Sequence, residues 1–292
     1  MTTTSLPPGL LPGGRFADWR PTAPPAYVVC DVDGTLVGPS AAATDEVVDA
    51  VDRAQAAGLR VGFATGRMRG AMHALQEQLH AHGPHVLHNG AEVRADGRTV
   101  HAWTLRPDQV DALLEVARER NDAYVEIYPE DGFLVSSWDE RARAHWDILD
   151  REPIGVIDSS ATLGDEPALK ATFAVFDPDA VPELIAAIER AGLLAGAAGS
   201  PRTPDLTYVN ATHPDADKGR ALARAADHLG VPLTQVVAIG DAANDLSMLA
   251  VAGTAIAMGQ AEDEIRAAAH LVVPDVDAHG VAVALDACIA WR

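Results

Sequence analysis

Four groups of polar residues in this sequence have side chains that could act together on a phosphate group. They are Asp31 with Asp33, Thr65-Gly66-Arg67, Lys218, and Asp241 with Asn244 and Asp245. Carboxylates gathered at one point suit Mg²⁺, which prefers oxygen ligands. A lysine, a hydroxyl and backbone N–H groups suit the oxygens of a phosphate, and a carboxylate can attack phosphorus to form an acyl phosphate. The chemistry that uses these residue types together is phosphoryl transfer.

The predicted secondary structure places these groups at one edge of a sheet. Residues 26–30 form an apolar run that predicts a buried parallel strand, and Asp31 and Asp33 follow its carboxyl end. Further short apolar runs at 59–64 and 236–239 alternate with stretches of helical spacing, as in β-α-β units. Because ligands bind at the carboxyl ends of strands in such sheets, we expect the four groups to converge there.

Each group alone also has an ordinary structural explanation. Asp33 precedes a glycine, which is a common turn dipeptide, and Thr65 could be a turn residue. Asp241 could be a helix N-cap and Lys218 a solvated surface lysine. It is their joint occurrence at predicted strand ends and helix starts that favours the chemical interpretation.

The middle of the chain has a different pattern of predicted strands and helices. Residues 91–204 combine hairpin signals with helical spacing, which predicts an α+β domain inserted into the parallel one. The β-α rhythm resumes after it. We therefore predict an α/β fold, with a doubly wound parallel-sheet core made of residues 26–90 and 205–292 and an inserted α+β domain at 91–204.

Composition restricts the partners. The 292 residues include 42 acidic and 22 basic side chains, a formal net charge of −20, which repels nucleic acid and anionic membranes. A small anionic substrate would need local cations, such as a divalent metal. Cys30 and Cys288 make no disulfide framework, and no apolar run suits a membrane span, so a cytoplasmic location is expected. Residues 1–25 contain many prolines and no basic segment, which predicts a flexible N-terminal extension.

Four segments resemble the motifs of the haloacid dehalogenase superfamily, in the order that this family uses. They are DVDGTL at 31–36, FATGR at 63–67, the lysine of DKGRAL at 218 and GDAANDLSML at 240–249. The stretches LHNGAEV at 87–93 and DAHGVAVAL at 277–285 are similar to Cof-type sugar-phosphate phosphatases of subfamily IIB. The inserted domain resembles the large α+β cap of that subfamily, called C2B.

The resemblance implies a catalytic role for four residues. Asp31 would be the nucleophile that becomes an aspartyl-phosphate, and Asp33 would be the general acid for the leaving group and then the base for water. Thr65 and Lys218 would bind the phosphate and steady the nucleophile. The implied activity is that of a phosphatase for a small phosphorylated metabolite, most simply a sugar phosphate.

The resemblance also implies a Mg²⁺ cofactor and a phosphate-binding set. The metal residues would be Asp31, Asp33 through its backbone carbonyl, Asp241, and Asp245 in a supporting position; the substrate or phosphate would contact Gly66, Arg67, Asn89 and Asn244. Asp245 would act through water or through Lys218.

Three other functions use part of the same chemistry. A phosphosugar mutase would use the same aspartate but return the phosphoryl group. A signalling receiver module also gathers acids, a threonine and a lysine around Mg²⁺, although it has neither the four-motif order nor a large insertion. A ligand sensor on the same scaffold would be marked by loss of Asp31 or Asp33, and both are present.

Two further signals are weaker. The histidines at 73, 80, 82, 85 and 88 are spread over a predicted helix, loop and strand, without one chelating face. Trp138, His145 and Trp146 lie in the inserted domain and could recognise a sugar ring, although packing of the domain core is the commoner use of such residues.

Overall fold

The structure, a computed structural model, describes residues 6–13, 19–39, 42–120, 122–149, 151–199, 203 and 205–292. The chain forms two compact units. The first contains Met1–Arg67, Met72–His101 and Asp217–Arg292, and the second contains Met68–Ala71 and Ala102–Ala216. The second unit therefore combines one long insertion with one short segment that immediately follows Arg67.

Strands and helices alternate singly over residues 27–87 and 207–290, whereas strands come in twos and threes between these ranges. In order they are β1 (Leu11–Pro12), β2 (Tyr27–Cys30), α1 (Asp45–Ala56), β3 (Arg60–Phe63), α2 (Arg69–Leu79), β4 (His85–Leu87), β5 (Glu92–Ala95), β6 (Arg98–Ala102), α3 (Pro107–Arg118), β7 (Ala123–Tyr128), β8 (Leu134–Val135), α4 (Arg143–Leu149), β9 (Gly155–Val156), β10 (Lys170–Val175), α5 (Val181–Arg190), β11 (Leu194–Gly199), β12 (Thr207–Thr212), α6 (Lys218–Leu229), β13 (Val236–Gly240), α7 (Leu246–Val251), β14 (Thr254–Ala257), α8 (Asp263–Ala268), β15 (Leu271–Val272) and α9 (Gly280–Ala290). Within the described residues, no helix has the length and apolar character needed to span a membrane.

The first unit is built on a mostly parallel sheet. Its strand order is β1-β15-β14-β13-β2-β3, and all neighbours are parallel except β1 and β15. β2 is the apolar run of the sequence, and it is buried along its whole length. Val28 and Cys30 of β2 share a core cluster with Val47 of α1 and Leu285 of α9. The predicted α/β fold with a parallel sheet is confirmed.

The strand order makes β2 a switch point. The chain leaves β2 towards β3 on one side and returns through β13 on the other side. Loops that leave neighbouring strands in opposite directions open a crevice between them, and ligands of such sheets bind there. Asp31 and Asp241 are the first residues after β2 and β13, so both begin at this crevice.

Part of the N-terminal extension pairs with the sheet of the first unit. Leu11 and Pro12 pair with Val272 and Leu271 of β15, and Leu10 is buried in the core. The structure differs from the expected flexible extension at residues 6–13, because the backbone of Leu11 and Pro12 pairs with the open edge at β15, and an edge strand tolerates a proline. Residues 1–5 and 14–18 lie outside the described part of the chain.

The second unit has an α+β architecture. Its sheet has the order β11-β12-β10-β7-β8-β9 and is antiparallel except between β8 and β9. Leu113 of α3 and Leu184 of α5 share a buried cluster with Val125 and Phe173 of the central strands. Both helices therefore pack on one face of this sheet.

The two units divide at positions that differ from the predicted limits of 91 and 205. Residues 91–101 belong to the first unit, since β5 pairs with β4 in a separate three-stranded sheet. Residues 205–216 belong to the second unit, since β12 lies between β10 and β11. These long-range strand pairings, rather than local spacing in the sequence, decide which unit each of these segments belongs to.

Candidate active site

Three carboxylates converge where β2 and β13 end. Asp31, Asp241 and Asp245 each offer an oxygen atom, and these atoms all lie within 4.8 Å of one another. Asp31 and Asp245 are buried, and Asp241 is half-buried. Like charges this close repel one another, so the arrangement needs positive charge nearby.

Lys218 supplies one positive charge in contact with two of these carboxylates. Its Nζ donates to Asp31 Oδ1 and to Asp245 Oδ1, both at 2.6 Å, and the side chain is 1% exposed. Asp217, the residue before it, is the N-cap of α6, and its side chain accepts a hydrogen bond from the Arg220 N–H. Burial opposes the charge on Lys218, but the two carboxylates outweigh it and raise its pKa, so it remains an ammonium.

The surroundings of the Asp31 carboxyl disfavour its ionised form. Its pKa is raised from 3.8 to about 7, chiefly by burial and also by the charges of Asp245 and Asp241, against the opposing effect of Lys218. The backbone fixes the residue, because its N–H donates to the Ile239 carbonyl of β13 at 2.8 Å. A bound cation would offset these effects on the pKa and favour the ionised form.

Asp241 lies against the loop that follows β2. Thr35 Oγ1 donates to Asp241 Oδ1 at 2.8 Å, and burial raises the pKa of Asp241. Gly34 has a φ of +89°, and a Cβ added there would overlap Asp241 Oδ2. This glycine is therefore required both for the backbone conformation and for the close approach of the carboxylate.

Asp245 has both oxygens engaged by the protein. Oδ1 accepts from Lys218, while Oδ2 accepts from the backbone N–H groups of Asp241 and Ala242, each at 3.0 Å. These bonds shape the loop that carries Asp241 and orient Lys218. The arrangement favours the supporting position expected for Asp245 over direct ligation of a metal.

Asp33 and Arg67 form an ion pair with each other. Arg67 Nε donates to Asp33 Oδ2 at 2.9 Å, and a second guanidinium nitrogen donates to Oδ1. The Asp33 side chain is 62% exposed and is not part of the carboxylate cluster. The phosphate contact expected of Arg67 and the carbonyl ligand expected of Asp33 remain predictions, since Arg67 here binds a carboxylate instead.

Thr65 lies at the turn that follows β3. It is 1% exposed, and its Oγ1 accepts from the Arg67 N–H at 3.1 Å. Its carbonyl accepts from the Asn89 N–H at 2.9 Å, and the Asn89 side chain accepts from Asn244 Nδ2 at 3.1 Å. Gly66 lies beside Asn89 so closely that a Cβ would crowd the amide. The structure thus brings these predicted phosphate-binding residues together.

Two residues at this edge were missed by the sequence analysis. Thr35 fixes Asp241, and Gln260 connects two loops by donating to the Gly34 carbonyl and accepting from the Val276 N–H at 3.2 Å. Gln260 follows β14, the next strand of the same parallel sheet. The rule that located Asp31 and Asp241 at strand ends would have located it as well.

The aromatic residues singled out in the insertion lie within the second unit. Trp146 is 1% exposed and its Nε1 donates to the Tyr124 hydroxyl at 3.0 Å, while Trp138 is 58% exposed and meets the Trp146 ring edge-on. His145 Nδ1 lies 3.0 Å from the buried Glu126 carboxylate. Packing therefore accounts for Trp146, whereas Trp138 leaves much of its ring uncovered.

Comparison with known proteins agrees with the motifs. Residues 28–285 match the haloacid dehalogenase-like hydrolase family. The chain is 28% identical to the 5-amino-6-(5-phospho-D-ribitylamino)uracil phosphatase YwtE of Bacillus subtilis (strain 168), over 91% of this chain and 98% of that protein. It is 26% identical to the pyridoxal phosphate phosphatase YbhA of Escherichia coli (strain K12), over 85% and 93% of the two chains.

A solved structure shares the fold at low identity. The HAD subclass IIB sugar phosphatase BT4131 superposes with a TM-score of 0.71 at 22% identity, over 89% of this chain and 98% of that one. The prediction of an enzyme is confirmed by the family match. The fold is shared with a subclass IIB member. The resemblance to the haloacid dehalogenase superfamily is confirmed, and the chain belongs to the haloacid dehalogenase-like hydrolase family.

Proposed function

We propose that the protein is a Mg²⁺-dependent phosphatase that hydrolyses a small phosphorylated metabolite through an aspartyl-phosphate on Asp31. The observation that carries the proposal is the position of the Asp31 carboxylate. Its Oδ1 accepts from a buried Lys218 at 2.6 Å, within 4.8 Å of oxygens from Asp241 and Asp245. A nucleophilic carboxylate needs neighbours that hold it ionised and in place, and this one has them.

The residues present fit a divalent cation. Three carboxylates face one ammonium, Lys218, which leaves two negative charges at full ionisation. Asp31 and Asp241 would hold the metal, with the Asp33 carbonyl as the expected third protein ligand and Asp245 supporting the loop. When bound, Mg²⁺ would neutralise charge on the incoming phosphate and on the carboxylates.

The chain's own residues account for both half-reactions. In the first, an Asp31 oxygen attacks phosphorus, the bond to the leaving oxygen breaks, and Asp33 gives that oxygen a proton. In the second, the ionised Asp33 takes a proton from water as the water oxygen attacks phosphorus, which releases phosphate and restores Asp31. Lys218 and the hydroxyl of Thr65 would hold phosphate oxygens during both steps.

The relatives support a small organic phosphate as substrate. One is named for a phosphoribitylamino uracil and another for pyridoxal phosphate, so the named substrates differ while the phosphate is shared. A sugar phosphate stays a prediction for this chain. The excess of acidic residues in the protein makes a large polyanion a poor alternative.

The test is phosphate release from a panel of phosphorylated metabolites, with Mg²⁺ and with chelator, beside the variant Asp31→Asn. We expect Mg²⁺-dependent release by the wild type and a loss of at least about 10³-fold in the variant, which lacks the nucleophile. Asp286→Asn is the matched control, because Asp286 is exposed and bonded only to Arg53 among the described residues.

Two outcomes would contradict the proposal. One is a wild type that releases no phosphate from any ester with metal present, and the other is full activity in Asp31→Asn. Return of the phosphoryl group to a second hydroxyl, without net phosphate release, would indicate a mutase instead.

A further inference from the structure

Gln260 connects three segments of the first unit at the edge of the sheet where the candidate site lies. It follows β14, and its Nε2 donates to the Gly34 carbonyl at 2.5 Å while its Oε1 accepts from the Val276 N–H at 3.2 Å. A carbonyl only accepts and an N–H only donates, so these two partners determine which way round the amide lies. The amide is thus held at both polar atoms, although the residue is exposed.

The turn that carries Gln260 is fixed by hydrogen bonds within the first unit. Arg266 of α8 donates to the backbone carbonyls on both sides of Gln260. The Met258 N–H donates to the Gly240 carbonyl at 3.0 Å, directly before Asp241. The backbone of Gln260 therefore has a defined position relative to the Asp241 carboxylate, and its side chain starts from a fixed point.

Gln260 restrains the most flexible residue of the loop after β2. Gly34 has a φ of +89°, and a glycine has backbone freedom that other residues lack. The peptide before it is fixed inside the loop, since the Gly34 N–H donates to the Val37 carbonyl at 2.9 Å. The peptide after it is held by Gln260. Both peptides next to Gly34 therefore have a partner, and the first of them contains the Asp33 carbonyl that is expected at the metal.

Gln260 also acts on a second expected metal ligand, Asp241. A Cβ added to Gly34 would overlap Asp241 Oδ2, so the loop after β2 and this carboxylate are in direct contact. Burial raises the pKa of Asp241, and a hydrogen bond from the Gln260 side chain is among the effects that lower it. One amide thus contacts both the loop that carries Asp33 and the carboxylate opposite. Its loss would loosen the position of one expected ligand relative to the other.

We propose that Gln260 is a positioning residue for the metal site: it holds the loop after β2 against Asp241 and so keeps the site rigid enough to favour Mg²⁺ over Ca²⁺. This inference rests on the proposed function, in which Asp31, Asp241 and the Asp33 carbonyl hold the metal. Mg²⁺ needs a near-octahedral set of oxygen ligands, whereas the larger Ca²⁺ accepts variable geometry. A looser loop should therefore weaken the binding of Mg²⁺ more than the binding of Ca²⁺.

The test is calorimetric titration of the substrate-free protein with MgCl₂ and, separately, with CaCl₂. Gln260→Met keeps the length of the side chain and removes both of its hydrogen-bonding groups. We expect the Kd for Mg²⁺ to rise about tenfold and the Kd for Ca²⁺ about twofold, in line with other residues that support metal ligands. In the phosphatase assay, the Mg²⁺ concentration for half-maximal activity should also rise about tenfold, while kcat at saturating Mg²⁺ should stay within about twofold of the wild-type value.

Gln55→Met is the matched control. Gln55 Nε2 donates to the His80 carbonyl at 3.0 Å and its Oε1 accepts from the His82 N–H at 2.9 Å, so this variant loses the same two kinds of backbone contact. Gln55 lies in the last turn of α1, which leads from β2 to β3 and therefore ends at the opposite edge of the sheet. Both metal constants should remain at their wild-type values.

Val276→Pro tests the other end of the same bridge. Proline has no N–H, so the variant loses the donor to Gln260 Oε1 and keeps Gln260 itself. The backbone accepts the change, because Asp275 before it is extended, with a ψ of 173°, and Val276 begins a short helical turn. We expect the Kd for Mg²⁺ to rise about threefold and the Kd for Ca²⁺ to stay unchanged, as for the loss of one hydrogen bond that orients the amide.

The outcomes distinguish the two proposals. If the wild type binds Mg²⁺ but the ratio of the two Kd values in Gln260→Met is the same as in Gln55→Met, the positioning role is refuted and the phosphatase proposal stands. An equal rise of both Kd values in Gln260→Met would refute the role in the same way. If the wild type neither binds Mg²⁺ nor hydrolyses any ester of the panel, the phosphatase proposal fails and the positioning role fails with it.

Discussion

His85 should make the stability of the protein sensitive to acid. The ring is 7% exposed, stacks on Phe63 with centroids 4.6 Å apart, and accepts a hydrogen bond at Nδ1 from the Phe63 N–H at 3.2 Å. An Nδ1 that accepts requires the neutral ring, because both nitrogens of the charged ring are donors. The other nitrogen, Nε2, lies 3.1 Å from the Gln76 amide nitrogen. Burial, with smaller contributions from the charges of Arg94 and His82, lowers the pKa of His85 from 6.5 to about 4.

The sign and size follow from linkage. The unfolded chain takes up a proton on this histidine near pH 6.5 and the folded protein only near pH 4, so stability is fully present above the first value and falls as pH drops towards the second. Each pKa unit corresponds to 1.36 kcal/mol, so the full loss is about 3 kcal/mol, of which about 2 kcal/mol is reached by about pH 5.

The measurement compares urea unfolding of the wild type and His85→Gln at about pH 7.5 and about pH 5. Gln can accept from the Phe63 N–H but does not titrate, so its loss of stability between the two values should be smaller than that of the wild type by about 2 kcal/mol. His73→Gln is the control, since the His73 side chain is 74% exposed and should change nothing. Equal acid losses in the wild type and His85→Gln would refute the assignment.

Two further predictions concern single contacts. Gly34→Ala should lower Mg²⁺-dependent activity at least about tenfold, because the added methyl overlaps Asp241 and the φ of +89° is unfavourable for alanine, whereas Gly97→Ala, at a φ of +74° with open space around it, should leave activity unchanged in the same kinetic assay; equal effects would contradict the steric reason. Glu126→Gln should cost about 1–3 kcal/mol of unfolding free energy in urea, because the buried carboxylate accepts from two tyrosine hydroxyls, and a wild-type midpoint would contradict that account.

Strand topology explains why much of the site could be predicted from sequence. The apolar runs before Asp31 and Asp241 identify adjacent parallel strands, and strands of one parallel sheet end at one edge, so convergence follows without any coordinates. Lys218 could be assigned to the start of a helix, so it could be expected at the same edge of the sheet. Its approach to Asp31 depends on how α6 packs, and no local pattern encodes that packing.

The parts that could not be predicted depend on long-range pairing or on rotamers. The hairpin of β5 and β6 shows the same alternation whichever unit it joins, and only its pairing with β4 assigns it to the first unit. Arg67 has a long side chain that could reach a phosphate or a carboxylate, and the sequence does not distinguish the two. The pairing of Leu11 depends on an edge strand, β15, that lies far away in sequence.

Residues 65–71 are the clearest case in which neighbours in sequence belong to different units of the structure. The motif Thr65-Gly66-Arg67 and residues 68–71 are continuous, and helical spacing assigns Met68 and Met72 to one face of one helix. In the structure Met72 packs in the core of the first unit, while Met68 packs among the tyrosines of the second. The same helical spacing is compatible with either core, so the sequence could not show that the units divide after Arg67 and again after Ala71.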